Sequence, residues 1–298
     1  MGKHAYLVIA HNEFEILGRL LSMLDDKDND IYLHIDKKVK EFDERSFQKF
    51  VCHSPLIFIE NKVDVQWGNF SQIECELRLL EEATKQHHDY YHLLSGVDLP
   101  LKSQKEIHDF FEKNKGIEFV QFKEPEIDGE TLGRVAKYHF FAKRNKRVVE
   151  KILDRLCLSM QFWVDRTKSS NLTYQKGANW FSITHDLALF VVQNRSLIEK
   201  YFKYTICGDE MFLQTLVASS SFINKVVPNN YCDNYENICY CIDWKRGSPY
   251  VYREEDYEFL MASQQLFARK FSWNVDRNII EKIYSIQMEK KKEKERQI

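Results

Sequence analysis

The sequence predicts an α/β fold: a mainly parallel, Rossmann-like central sheet flanked by helices on both faces, running through a single domain. Short unbroken apolar runs recur in the first 123 residues, at 4–10, 31–36, 56–60, 90–95 and 118–123. Between them, apolar residues return every three or four positions, the spacing of an amphipathic helix. Strands of continuous apolar character alternating with such helices belong in a parallel sheet covered on both sides.

The elements follow in chain order. His4–Ala10 is the first strand, and Phe14, Leu17, Leu20, Leu21 and Leu24 mark the helix after it. Ile31–Asp36 and Leu56–Glu60 are strands, and Ile73, Leu77, Leu80 and Ala83 mark the helix before the strand at 90–95. From about 124 the pattern changes. Residues 134–147 carry Arg134, Lys137, Lys143, Arg144, Lys146 and Arg147 with no acid among them. A helix around 148–160 follows, then a turn-rich stretch to 176, a strand at 180–183, and helices near 185–202 and 209–219. Residues 228–250 read as loop plus short strand, and 254–270 as a last helix. Lys290 to Arg296 reads as a solvated, fraying helix. No repeat or flexible linker divides the chain, so one domain over 1–285 and a charged tail at 286–298 are expected.

Composition excludes several classes. At 44% hydrophobic and 30% charged residues the chain is an ordinary globule with ample core. A net charge of −2 argues against bulk nucleic-acid binding, which needs a basic face. The apolar start at 4–10 is too short to span a membrane and lacks a secretory cleavage pattern. The seven cysteines are odd in number and scattered, which points to a reducing cytoplasm. Cys232, Cys239 and Cys241 cluster without a paired C-x2-C unit, so no zinc site is expected. Three glycosylation sequons, at Asn69, Asn171 and Asn194, are read as chance.

In a doubly covered parallel sheet, ligands bind beyond the carboxyl ends of the strands. That places His11, Asp36, Asn61 and the Ser95-Gly96-Val97-Asp98 turn along one rim. Asp98 is either a turn residue before Leu-Pro or a carboxylate offered to a ligand; a metal-binding Asp-x-Asp is not complete, because Gly96 takes the other place. A leaving diphosphate could be neutralised by cations instead, from Arg246 in Trp244-Lys245-Arg246 or from Arg269 and Lys270, which lie between Phe267 and Phe271. In Cys207-Gly208-Asp209-Glu210, Asp209 reads as a helix cap and Glu210 as a first-turn acid, which on helix statistics alone stabilises the helix and could otherwise act as a base. Lys176-Gly177-Ala178-Asn179-Trp180 offers an indole for a sugar face and an amide for hydroxyls, or else a core tryptophan. Trp67-Gly68-Asn69-Phe70-Ser71 opens a helix whose start suits a phosphate, though capping alone accounts for it.

These blocks, in this order and over nearly the whole chain, resemble glycosyltransferase family 14, the core-2/I-branching enzymes and peptide O-xylosyltransferases, in a compact bacterial-type form. The blocks are Ala10-His11, His34-Ile35-Asp36, Trp67-Gly68, Ser95 to Leu101, Lys176 to Phe181, Asp209 to Thr215 and Phe267 to Phe271. The resemblance implies a GT-A fold, inversion by single displacement, a UDP-sugar co-substrate and no metal or other cofactor. It makes Glu210 the catalytic base and Lys270 with Arg246 the diphosphate site, which Arg269 joins as the neighbouring cation. It sets His11 and Asp36 at the nucleoside and Asp98 in the family's substitute for the metal motif, counted with the nucleotide contacts. Lys176, Asn179, Trp180 and Trp244 are the expected acceptor and sugar contacts. The halves 1–123 and 124–285 are then the nucleotide-sugar and the acceptor-binding, catalytic halves. The chain differs from the animal enzymes in showing no secretory anchor and none of their disulfide cysteines.

The expected activity is transfer of a sugar, N-acetylglucosamine in β linkage by resemblance, to a glycan or lipid-linked acceptor in bacterial surface polysaccharide synthesis. The expected location is cytoplasmic and peripheral to the membrane, with the basic run and lysine-rich tail drawn to anionic lipid. A metal-dependent UDP-hexose or xylose transferase using Asp98, and a noncatalytic sugar- or nucleotide-binding module, are the alternatives. A dinucleotide oxidoreductase fits less well, because no Gly-x-Gly-x-x-Gly follows the first strand.

Overall fold

The computed structural model describes residues 2–142, 147–227 and 235–296. In chain order its strands are β1 (His4–Ala10), β2 (Asn29–Ile35), β3 (Leu56–Phe58), β4 (Tyr90–Ser95), β5 (Leu99–Pro100), β6 (Ser182–Thr184), β7 (Tyr240–Ile242) and β8 (Phe267–Arg269). Its helices are α1 (Phe14–Leu24), α2 (Glu44–Gln48), α3 (Ser71–Ala83), α4 (Gln104–Lys113), α5 (Gly129–Ala136), α6 (Val148–Ser159), α7 (His185–Gln193), α8 (Arg195–Phe202), α9 (Phe212–Ala218), α10 (Tyr257–Ala262) and α11 (Arg277–Arg296).

The central sheet has the order β3-β2-β1-β4-β6. β1 lies between β2 and β4, parallel to both, and β2 pairs β3 in parallel. β6 runs antiparallel along β4. Every residue of β1, β2 and β4 is buried, as unbroken apolar runs require of strands covered on both faces. The cover is two cores. One packs α1, α4 and α11 below the sheet, with Leu17, Leu20, Leu21, Ile279, Ile280 and Ile283 sealed from solvent. The other packs α3, α7, α8 and α9 above it. Full burial of each such aliphatic side chain contributes about 1.5–3 kcal/mol before conformational entropy is counted.

The chain leaves β4 through Ser95–Asp98 and enters a second sheet of order β5-β8-β7. β5 and β8 are antiparallel, with Leu99 opposite Ala268; β7 and β8 are parallel, with Ile242 opposite Arg269. One tight turn therefore joins the two sheets, and it carries Asp98 to the flank of Arg269.

Several expected elements differ. Residues 118–123 form only isolated bridges, Glu118 to Val226 and Phe119 to Ser182. Their side chains are spent elsewhere: Glu118 accepts from Thr184, and Gln121 from the Ala178 amide. The helix over 185–202 is two helices meeting at Asn194. The helix over 254–270 stops at Ala262, and Phe267–Arg269 is a strand, because partners on both sides outweigh local propensity. The expected charged tail belongs to α11, whose Gln287 donates to the Leu101 carbonyl while Lys290 and Lys291 pair with Glu106 and Asp25 at 3.1 and 2.9 Å.

Candidate active site

The rim beyond the carboxyl ends of β1, β2 and β4 is organised by one buried carboxylate. Asp98 is completely buried. Its Oδ1 accepts from Arg269 Nη1 at 2.8 Å, and its Oδ2 from the Ser95 amide at 2.8 Å and the Tyr240 hydroxyl at 3.2 Å. Burial raises its pKa against the pull of Arg269. Asp98 therefore does not reach out to a nucleotide or an ion as expected; its oxygens are taken, and it positions Arg269. Arg269 is likewise drawn away from a free diphosphate-binding role, with its guanidinium 4.2 Å over the Trp180 ring. Trp180 also tilts against Tyr240, at 5.9 Å, so one of its faces carries a cation where a sugar was expected.

Lys270 differs from its neighbour. The adjoining Phe271 amide donates to the Val97 carbonyl at 3.0 Å, so Lys270 is clamped against the rim turn from both sides. Its side chain is partly exposed and makes no ion pair among the described residues. His11 and Asp36 end β1 and β2 as predicted. Asp36 is buried and accepts from the Lys38 amide at 2.8 Å and the Val65 amide at 3.2 Å, which fixes it to its own loop. His11 is exposed and close enough to Asp36, Lys38 and Arg269 to feel all three charges. Partial burial holds its pKa down, with Asp36 opposing.

Arg246 follows β7, the strand beside β8, and so comes to the same edge of the small sheet as Lys270. Its guanidinium is engaged by Asp243 and by Asp256, the latter at 2.7 Å, and lies 4.0 Å over the Tyr250 ring. Trp244 is half-exposed beside Tyr235.

The catalytic carboxylate expected at 210 sits in a different local structure from the one predicted. Gly208–Glu210 is a single 3-10 turn entered through Cys207 in the left-handed region, with φ of 49°. α9 begins two residues later and has no side-chain cap, so Asp209 is not a helix cap and Glu210 is not in the first turn of an α-helix. The turn is held from outside: the Cys207 amide donates to the Gly68 carbonyl at 3.0 Å, and the Gly177 amide donates to the Glu210 carbonyl at 2.9 Å. The Glu210 carboxylate is more than a third exposed. Lys176 Nζ lies 3.4 Å and Arg134 Nη1 3.3 Å from its Oε2, so two cations hold the carboxylate in place.

Behind Glu210 lies a buried acidic pair that the sequence reading missed. Glu76 of α3 is fully buried, accepts from Gln72 at 2.9 Å, and faces the Asn179 amide and Asp209. Burial pushes the Glu76 carboxyl well up, and burial with Glu210 nearby pushes Asp209 to about 7. Asn179 thus looks inward at Glu76. An acid three residues from Ile73 on the apolar face of α3 was the available signal for Glu76; Arg134 was hidden within a basic run.

Lys176 at Glu210 and Trp180 at Arg269 belong to one extended segment, so the two ends of the site lie no more than about 14 Å apart along it. Among the described residues, no three His, Cys, Asp or Glu side chains converge as a metal site would require. Cys239 and Cys241 are buried free thiols, and Cys232 lies outside the described residues. A pocket lined by Asp25, Gln104 and Gln287 lies at the opposite, amino-terminal edge of the sheet, away from these groups.

Rat (Rattus norvegicus) xylosyltransferase 2 is 24% identical over 301 residues, covering 93% of this chain and 33% of that protein. The mouse (Mus musculus) N-acetyllactosaminide beta-1,6-N-acetylglucosaminyl-transferase is 22% identical over 290 residues, covering 91% of this chain and 69% of that protein. The chain therefore spans about a third of the length of the xylosyltransferases it matches. The crystal structure of mouse xyloside xylosyltransferase 1, apo form, aligns with 89% of this chain and 96% of that one, at 10% identity and a TM-score of 0.38. The family model described as "Core-2/I-Branching enzyme" matches residues 4–266. With the match running from β1 to the residue before β8 and taking in Asp98, Lys176 and Glu210, the chain belongs to the core-2/I-branching enzyme family.

Proposed function

We propose that the chain transfers a sugar from a UDP-sugar to a glycan hydroxyl by a single inverting displacement without a metal ion. The observation that carries this reading is the exposed Glu210 carboxylate, held by two cations on a turn that neighbouring segments fix. The acceptor oxygen attacks the anomeric carbon from the face opposite the diphosphate. Its proton passes to Glu210, and the bond from the anomeric carbon to the diphosphate oxygen breaks with its electron pair. Lys270, without an internal ion partner among the described residues, supplies the charge that stabilises departing UDP. Arg246 assists from the same edge, and its ties to Asp243 and Asp256 preset the guanidinium. Asp98 acts in this reading as the residue that positions Arg269.

The donor sugar of the proposal is N-acetylglucosamine in β linkage, in line with the mouse N-acetylglucosaminyl-transferase relative, and the xylosyltransferase relatives support xylose as the second candidate. The acceptor is a glycan, borne on a lipid carrier in surface polysaccharide synthesis at the cytoplasmic face of the membrane. No helix among the described residues is long and apolar enough to cross a membrane. Glu210→Gln should lower turnover by about 10²–10⁴-fold while leaving UDP affinity within a factor of about two, measured by calorimetry beside a transfer assay. Unchanged turnover would remove Glu210 as the base, and unchanged turnover with no UDP binding by the wild type would favour a different donor.

A further inference from the structure

The second half of the chain contains a helix turned the wrong way out. In α6, Val148, Ile152 and Leu156 form one row, four residues apart, and are 72%, 55% and 53% exposed. Phe162 and Trp163 follow, 81% and 69% exposed, with their rings packed edge to face at 4.2 Å. The opposite face, with Glu150, Asp154 and Leu158, is the less exposed one. No residue of α6 belongs to either hydrophobic core. An ordinary surface helix does the reverse, burying its apolar stripe and wetting its acids. Contiguous exposed apolar surface of this kind marks an interaction site.

The turn that follows the helix is fixed to the body. At its foot the buried Gln161 side chain accepts from the Tyr138 amide at 2.7 Å and donates to the Tyr138 carbonyl at 3.0 Å. Lys137 Nζ donates to the Gln161 and Val164 carbonyls, each at 2.6 Å. Buried Arg166 donates to the carbonyls of Val135, Lys137, Lys200 and Tyr201. The exposed Phe162–Trp163 pair therefore stands on a turn that belongs to the folded body.

We infer that α6 and the Phe162–Trp163 turn are a docking face for an anionic lipid surface. Charge decides between occupants. Arg147, Lys151 and Arg155 are all exposed beside the apolar row, whereas Glu150 and Asp154 are less exposed and lie on the opposite face. An apolar row bordered by cations and ending in an exposed aromatic pair matches a bilayer interface with anionic headgroups. A second copy of the chain in a two-fold contact would set those same cations against each other. The inference also reassigns the expected membrane contact. Arg134 and Lys137 of the basic run turn inward and Lys290 and Lys291 of the tail are ion-paired, whereas Arg147, the last residue of the run, stands exposed at the start of α6. Lys143, Arg144 and Lys146 lie outside the described residues. α5, which carries Arg134 to Glu210, joins this foot directly, so docking would present the active site to an acceptor held at the headgroups. The inference does not depend on which sugar is transferred.

The test is co-sedimentation of the 298-residue chain with phosphatidylglycerol–phosphatidylcholine vesicles and with pure phosphatidylcholine vesicles at physiological salt. The wild type should pellet with the anionic vesicles. The double variant Ile152→Glu, Leu156→Glu should lose at least about tenfold in partitioning with an unchanged thermal midpoint, since both residues are exposed. Lys151→Ala and Arg155→Ala should each weaken anionic binding about fivefold. The wild-type-minus-Trp163→Phe fluorescence difference should shift to the blue on vesicle addition. The inference is overturned if the wild type stays in the supernatant with anionic vesicles, or if the double variant pellets like the wild type. It is also overturned if sedimentation velocity shows a wild-type dimer that the double variant dissolves.

Discussion

Two adjacent cations, Arg269 and Lys270, have opposite tasks. Arg269 neutralises a carboxylate with no access to water, so Arg269→Ala leaves Asp98 buried and uncompensated and should cost about 3–5 kcal/mol in denaturant unfolding. Lys270→Ala should leave stability within about 0.5 kcal/mol, because no internal ion pair among the described residues is lost, yet weaken UDP binding. Equal unfolding midpoints for the two variants would refute this division. Asp209 gives a pH prediction. Its folded pKa, about 7, lies above the unfolded carboxylate value of about 3.9. Such a group favours the native state below its unfolded pKa, and that contribution is lost as pH rises through the folded pKa. The stability of Asp209→Asn relative to wild type should therefore climb between about pH 4 and pH 7, by at most about 1.4 kcal/mol per pH unit, and level off above that range. A flat difference across that window, by denaturant unfolding, would show that Asp209 is not perturbed.

The Gly208–Glu210 turn works only because other segments hold it, and Gly177 is its closest support. A Cβ at Gly177 would lie 1.8 Å from the Gln121 carbonyl oxygen, and its amide is the donor to Glu210. Gly177→Ala should cost about 1–3 kcal/mol and reduce turnover more than it changes UDP affinity, because the displaced segment carries Lys176 and holds the Glu210 carbonyl. Wild-type stability and turnover in this variant would show that the segment has slack. Elements of this kind were hard to read in advance. The periodic apolar residues of α1 and α3 were legible, since each helix buries one stripe against a sheet. Phe267–Arg269 was not, because its three residues have neither period nor propensity; β5 and β7 make it a strand. Glu210 was legible as a candidate, whereas its 3-10 turn, set by Gly68 and Gly177, was not.

For the whole molecule, the site gathers where two sheets meet. The parallel sheet brings His11 and Asp36 to one rim, and the Ser95–Asp98 turn hands the chain to the small sheet that carries Lys270 and leads to Arg246. Activity that depends on this cationic edge should persist in excess chelator. Complete loss with chelator, restored by manganese in the same transfer assay, would replace the cationic account with a metal-dependent one. UDP at 100 times its dissociation constant should raise native stability by about 2.7 kcal/mol, read as a thermal shift, and should do so without added metal.

The sequence by itself determined the alternation of apolar strands and amphipathic helices, hence the parallel sheet, its carboxyl rim and the candidate residues along it. Those signals are local, carried by burial and periodicity within a dozen residues. Only the tertiary structure decided which candidates are free. It turned Asp98 inward onto Arg269, left Lys270 without an ion pair among the described residues, set Lys176 and Arg134 against Glu210, and faced the apolar row of α6 to solvent. Pairings between residues tens to well over a hundred positions apart depend on how the sheets meet, and no local spacing encodes that meeting.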